Sequence, residues 1–270
     1  MTTVVYSSDE EINPVTMLQL DGNDDDAKEN NDKKPELVPT SVQHQTYRLN
    51  SINSTVVIRQ LPSQGLSFQL WPAATTFVKL LDSYQPSNTD SFSAAVTNVK
   101  IRPPLRILEL GSGTGVVGIA ASAILGADVT VTDLPHVLPN LVFNADANSS
   151  VVAPRGGQVH VAALSWGKLE EMETIGRDYD LIIGSDVVYH DHLYDPLIQT
   201  LKYLLLGGGD GNGEKVFLMA HLRRWKKESG FFKKAKKHFK VELVHEDGPS
   251  DASRTGVVVY RFARKDAVFR

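Results

Sequence analysis

Leu105-Arg106-Ile107-Leu108-Glu109-Leu110-Gly111-Ser112-Gly113-Thr114-Gly115-Val116-Val117-Gly118 is the stretch whose reading decides the fold. Its first residues form a short apolar run with the branched content of a buried strand. Gly111 to Gly115 breaks that run, and Val116 to Ala121 continues as the first turns of a tightly packed helix. A strand, a glycine turn and a helix in this order bring backbone N–H groups and a helix N-terminus up to a ligand, with no Cβ between them. The stretch therefore predicts a site for a small-molecule cofactor.

The glycines alone admit two readings. Gly113-Thr114-Gly115-Val116-Val117-Gly118 satisfies the dinucleotide fingerprint G-x-G-x-x-G, and Asp133 follows near the spacing of a ribose-binding acid. Read from the strand end, the pattern is Glu109-x-Gly111-x-Gly113-x-Gly115, which puts Val116 where a third fingerprint glycine would stand. That second form resembles the nucleotide-binding loop of S-adenosylmethionine-dependent methyltransferases. A glycine turn with no ligand is disfavoured, because alternating glycines cost chain entropy without a structural need.

The surrounding chain supplies the context. Two alternating segments, Thr46–Leu49 and Thr55–Arg59, flank Asn50–Asn53 and predict a β-hairpin. Leu70-Trp71-Pro72 opens a helix through Phe77, Leu80 and Leu81, with proline in the first turn. Trp71 by itself reads as a core anchor more readily than as a ligand contact. Residues 85–104, rich in Ser, Asn and Thr with three prolines, read as a loop insertion. Beyond the central stretch come four further strand patterns: 127–133, 158–164, 180–186 and 215–220. Helical patterns separate them: one ending at Leu125 before Gly126, then 134–147 with Val137, Leu138, Leu141 and Val142 inward, then 193–206. Arg223 to His238 reads as a basic amphipathic helix with Trp225, Phe232, Ala235 and Phe239 on its buried stripe. Val241–His245 and Val257–Phe262 form a closing antiparallel pair. Regular β-α alternation implies a mostly parallel sheet, helices on both faces, and ligands at the carboxyl ends of the strands.

Composition narrows the classes. The chain has 270 residues and a net charge of −4. Its first 36 residues hold ten acids against three bases, leaving the remainder slightly positive. We read residues 1–44 as an acidic disordered tail and 45–270 as one domain. There is no cysteine, so disulfides, thiolate nucleophiles and cysteine-based zinc sites are excluded. No metal site is expected. The chain shows neither a leader pattern nor a membrane span, which predicts a soluble intracellular protein.

Four sites fall at the carboxyl ends of consecutive predicted strands: Gly111–Gly115, Asp133, Ser165-Trp166 and Ser185-Asp186. Asp133 suits the two hydroxyls of a ribose, and equally a helix N-cap. Trp166 could wall an adenine. Asp186 could orient an amine, and Tyr189 could provide an aromatic wall for a cation. Taken alone, a capping Asp186 and a packing Tyr189 explain that segment as well. His190 and His192 read as solvent-facing loop residues, while His221 is the better pocket candidate.

Leu70-Trp71, Glu109-Leu110-Gly111-Ser112-Gly113-Thr114-Gly115, Val131-Thr132-Asp133, Leu164-Ser165-Trp166-Gly167 and Asp186-Val187-Val188-Tyr189 occur in that order. Together they resemble the seven-β-strand protein-lysine methyltransferases of the methyltransferase-like 21 group, over about residues 45–265. The resemblance implies a Rossmann-like class I methyltransferase fold: a seven-stranded, mostly parallel sheet with an antiparallel last strand, preceded by a hairpin. It implies S-adenosyl-L-methionine as cofactor, held by Trp71, Glu109, Gly111, Ser112, Gly113, Asp133, Leu134, Trp166 and Ser185. It implies Asp186 and Tyr189 as the catalytic pair, and a non-histone protein lysine as acceptor. Ser185 stands where members often carry alanine, and Pro72 where some carry an acid; the 85–104 segment is longer than usual. The expected partner is a protein substrate, with no membrane and no nucleic acid; the expected state is a monomer in the cytoplasm, with the nucleus as a second location. Methylation of RNA or a small amine, and a non-catalytic binding module, are the alternatives.

Overall fold

The computed structural model describes residues 42–99, 103–207, 215–224, 228–248 and 256–265. The acidic segment up to residue 41 and Trp225 lie outside these residues, as do Gly208 and Gly209. Nine strands are present among them. β1 (Gln43–Leu49) and β2 (Ser54–Gln60) pair antiparallel as the expected hairpin. Asn53 takes the left-handed conformation (φ 51°) that closes it, which an asparagine tolerates well. The remaining strands are β3 (Arg106–Leu110), β4 (Asp128–Asp133), β5 (Gln158–Ala163), β6 (Leu181–Ser185), β7 (Val216–Leu222), β8 (Phe239–Glu246) and β9 (Val257–Arg264). They form one sheet in the order β5-β4-β3-β6-β7-β9-β8. All neighbours through β7 are parallel, and β9 runs antiparallel to both β7 and β8. The chain order reverses at β3, so β4 lies on one side and β6 on the other, which opens a crevice at their carboxyl ends.

Period-two alternation divides the strand side chains between two cores. Ile107, Leu181, Ile183, Leu218 and Ala220 face one side. Leu108, Leu110, Ile182, Phe217 and Met219 face the other. Helices α1 (Pro72–Ser83), α2 (Ser91–Thr97), α3 (Val116–Leu125) and α4 (Leu138–Ala147), with the single turn α5 (Ser149–Val152), cover the first. Helices α6 (Leu169–Ile175), α7 (Tyr194–Leu206) and α8 (Ser229–Ala235) cover the second. α3 is buried from Val116 to Ile124, which explains its apolar, alanine-rich composition.

Three expectations need correction. The 85–104 segment is not simply a loop, because it carries α2. Asp90 caps that helix by accepting from the Ser93 N–H at 2.9 Å, and Phe92, Ala95 and Val96 enter the core at i, i+3, i+4. Among the described residues of the basic segment 223–238, the helix covers Ser229–Ala235. Within it Phe231 is fully buried and Phe232 half-buried, while Phe239 already belongs to β8. The third concerns α4, which starts at Leu138 rather than Leu134 and leaves Val142 exposed.

Beside the expected Leu141, the buried face of α4 carries a row of asparagines, which hydrophobic periodicity could not reveal. Asn140, Asn144 and Asn148 stand four residues apart on one face and are almost fully buried. Asn148 Oδ1 accepts from the Val57 N–H at 2.9 Å, and its Nδ2 donates to the Val57 carbonyl at 2.8 Å. Asn144 repeats this at Arg59, with 2.8 and 3.1 Å, and also donates to the Thr114 carbonyl in the glycine loop at 2.9 Å. Asn140 accepts from Arg59 Nε at 2.8 Å. Each amide stands in for a neighbouring strand along β2, so the hairpin edge is satisfied and tied to the central loop.

Asn144→Ala is expected to deprive the Arg59 N–H and the Thr114 carbonyl of their partner, while Asn140 still donates to the Arg59 carbonyl at 3.3 Å. At roughly 1–3 kcal/mol per group left unpaired, the melting temperature should fall by several degrees, while Val142→Ala on the exposed side should leave it unchanged. Equal melting curves for the two variants would show that the amides do not anchor the hairpin.

Candidate active site

The crevice at the ends of β3–β6 holds a cavity of about 250 Å³. Its floor is the glycine loop. Gly111 and Gly113 both take positive φ, 60° and 55°, which a side chain would strain. Space forbids one as well: a Cβ on Gly111 would meet the Trp166 ring at 2.9 Å, and one on Gly113 the Ser67 carbonyl at 3.0 Å. The loop is stitched to β4. Ser112 N–H donates to the Thr132 carbonyl at 2.9 Å, and the Thr132 N–H donates to Ser112 Oγ at 3.0 Å.

Asp133 ends β4 and accepts from the Gly113 N–H and from the Leu134 N–H, each at 2.7 Å. Burial pushes its carboxyl above the usual carboxylate value, and these two N–H donors oppose that rise. Each oxygen keeps a second lone pair for a ligand hydroxyl. Trp71, the residue before α1, donates from Nε1 to the Leu66 carbonyl at 3.0 Å and lines the cavity beside Leu66, Ser67, Gln69 and Leu70. That wall hangs on the hairpin, since Gln60 Oε1 accepts from the Leu70 N–H at 2.7 Å and the Leu61 N–H donates to the Phe68 carbonyl at 3.0 Å.

On the other side of the cavity stand Ser185, Asp186, Val187, Tyr189 and His190. Asp186 is a non-glycine residue at φ 54°, a strained conformation that costs about 1–2 kcal/mol. Its N–H donates to the Ala220 carbonyl at 2.9 Å. Its Oδ1 accepts from the Leu222 N–H at 3.0 Å, and Arg224 donates to both oxygens, at 3.1 and 2.8 Å. The Tyr189 ring lies 4.8 Å from the His190 ring.

Trp71, Gly111, Ser112, Gly113, Asp133, Leu134, Trp166, Ser185, Asp186 and Tyr189 thus share one cavity. Glu109 does not join them. It lies behind the loop, fully buried, with Oε2 accepting from the Gly118 N–H at 3.0 Å and Oε1 without a hydrogen-bond partner among the described residues. The expectation for His221 is corrected as well: it packs beneath Asp186, 1% exposed, with Nε2 3.0 Å from Glu228, and does not line the cavity. His190 does line it. Sequence reasoning also missed Arg224 and the Leu66–Gln69 wall; Arg224 sat unnoticed in a run of basic residues that reads as a solvated face.

Burial pushes the Glu109 carboxyl up to about 8 from its ordinary 4.5, and the nearby Asp133 charge adds to the rise. Its folded value exceeds its unfolded one, so its contribution to stability is complete below about pH 4.5 and is lost as pH rises to about 8. Glu109→Gln keeps an acceptor for Gly118 without a charge. Relative to the wild type, its melting temperature should rise progressively between those two values; a constant offset across them would refute the buried-acid assignment.

A profile of the lysine methyltransferase family matches residues 50–238. Mouse EEF1A lysine methyltransferase 3 is 33% identical over 184 residues, 68% of this chain and 68% of that protein. Mouse protein N-lysine methyltransferase METTL21A is 33% identical over 201 residues, 74% of this chain and 81% of that one. The zebrafish (Danio rerio) METTL21A is 38% identical over 148 residues, covering 54% of this chain and 62% of its own length. The matched span runs from the hairpin turn to the residue before β8 and contains the glycine loop, Asp133 and the Asp186–Tyr189 segment. The chain belongs to the lysine methyltransferase family.

Proposed function

We propose that this protein transfers a methyl group from S-adenosyl-L-methionine to a lysine side chain of a non-histone protein. The observation that carries the reading is the convergence of the glycine loop, Asp133, Trp166 and the Asp186–Tyr189 segment on one cavity. The residues present suit the cofactor: a cradle that a Cβ would fill at Gly111 and Gly113, and a buried acid with spare lone pairs at Asp133. Trp71, Gly111–Gly113, Asp133, Leu134, Trp166 and Ser185 would hold it. When bound, it supplies an electrophilic methyl on a sulfonium.

The chain's own residues then have to present a neutral amine. A lysine ammonium, with an ordinary pKa of about 10.4, must lose its proton before nitrogen can attack. Asp186, fixed by the Leu222 N–H, can accept a hydrogen bond from the amine and orient its lone pair. The Tyr189 ring offers a face that tolerates the cation before and after transfer. The apolar walls around Trp166 and Val187 exclude water from the reacting groups. We further propose EEF1A as the first acceptor to try, since similar proteins are named for it, and the cytoplasm as the place of action.

Titration calorimetry with S-adenosylmethionine should give one site, weakened at least tenfold by Asp133→Ala or Gly113→Arg. Binding of a nicotinamide dinucleotide in its place would overturn the cofactor reading. With labelled methyl donor and recombinant EEF1A or a cell extract, a protein band should be labelled; label in a nuclease-sensitive or low-mass fraction would redirect the reading to RNA or a small amine. Asp186→Asn tolerates the left-handed backbone and should keep both fold and cofactor affinity. Losing a charge-assisted hydrogen bond worth roughly 1.5–3 kcal/mol should cut kcat/KM tenfold to a hundredfold. Full activity in that variant would remove Asp186 from the chemistry.

A further inference from the structure

The carboxylate meant for the incoming lysine already has a cationic partner. Arg224 grips Asp186 with both guanidinium nitrogens at 2.8 and 3.1 Å, and the two side chains are only 10% and 5% exposed. The Arg224 carbon between those nitrogens lies 5.2 Å from the Trp71 ring, and Arg224 itself lines the cavity. This is no incidental surface pair. Its geometry is maintained from behind: Glu228 accepts from the Arg224 backbone N–H at 3.2 Å and from, or donates to, His221 Nε2 at 3.0 Å. His221 Nδ1, buried and without a hydrogen-bond partner among the described residues, faces Asp186 Oδ1 at 3.9 Å.

These groups set the electrostatics that a lysine meets. A lone buried carboxylate would hold the lysine as an ammonium, the unreactive form, because opposite charges at close range favour ionisation on both sides. A carboxylate already cancelled by a guanidinium gives no such preference. The Leu222 N–H and Arg224 both donate to the Asp186 carboxylate, which leaves its oxygens to act as acceptors, and the proton shed by the lysine leaves to bulk water.

We propose that Arg224 is a positioning residue that cancels the charge of Asp186 and thereby makes the site select the neutral amine of the target lysine. The inference rests on the lysine-transfer reading. Arg224 acts on the nucleophile through Asp186, with Glu228 and His221 holding both in register from behind them and Tyr189 and His190 completing that side of the cavity.

Two measurements test it. The first needs no acceptor protein: n-butylammonium chloride, a mimic of the lysine end, is titrated at pH 7 by protein NMR. Arg224→Gln should bind this cation about tenfold more tightly than wild type, and Arg224→Lys, which keeps the charge, should match wild type. Equal affinity in all three proteins overturns the proposal. The second follows methyl transfer to the labelled acceptor as a function of pH. Without Arg224 the target lysine stays charged to higher pH, so activity should appear about one pH unit or more further to the alkaline side. Arg224→Lys should restore the wild-type profile. A merely structural role would lower activity at every pH without displacing the profile, and that outcome also overturns the proposal. If Arg224→Gln does not fold, Arg224→Met serves in both measurements. If neither neutral variant folds while Arg224→Lys does, the charge serves stability and the proposal falls. Failure to label any acceptor would count against the methyl-transfer reading and leave the butylammonium result standing by itself.

Discussion

The left-handed turn of Gly111–Gly113 and the carboxylate that holds it are mutually dependent, and the site is arranged around them. Asp133 closes the turn by taking the Gly113 N–H, and it takes the Leu134 N–H with its other oxygen. The acid thus fixes both the loop after β3 and the departure of the chain after β4. Ser112 and Thr132 repeat the connection one residue back. A loop held at so many points presents its backbone at a fixed place, which is what recognition of a cofactor by main-chain groups requires.

Anchoring continues outward. The Asn140–Asn144–Asn148 face of α4 holds β2 and, through Asn144, the carbonyl of Thr114 in the same loop. β2 leads through Gln60 and Leu61 into the Leu66–Trp71 wall. The hairpin, peripheral to the main sheet, therefore sets one side of the cavity. Buried amides are costly unless every polar atom is matched, and here nearly all of their hydrogen-bonding capacity is used on backbone groups. Specific polar pairing, rather than apolar contact, decides where the wall stands.

On the opposite side, strain and charge are concentrated. Asp186 is held in a left-handed conformation by the Ala220 carbonyl and the Leu222 N–H, and its carboxylate is gripped by Arg224. Below it the His221–Glu228 pair leaves three buried polar atoms without hydrogen-bond partners among the described residues, counting the nearby Tyr194 hydroxyl. Unsatisfied groups of this kind are uncommon in a folded protein and are concentrated here next to the reacting centre. The glycine loop itself is stitched by backbone and side-chain hydrogen bonds, with only Glu109 Oε1 behind it lacking a partner among the described residues, while the acceptor side holds the other three.

Much was already determined by the linear order of residues. The β-α alternation, the glycine turn at 111–115, the acids at 133 and 186, and the tryptophans at 71 and 166 are local signals. Each depends on strand period, turn chemistry or position at a strand end, and each was where the order of elements put it. What the sequence could not decide was which polar groups would meet across long separations. Asn144 and Arg59 are 85 residues apart, and Arg224 and Asp186 are 38 apart. Neither pairing leaves a periodic trace, because a buried asparagine stripe looks like a solvated face and a paired arginine looks like any other in a basic run. Glu109 shows the converse. Its place beside the glycines suggests a ligand contact, yet the alternation of β3 turns it into the core behind the loop, where only tertiary packing determines its partner.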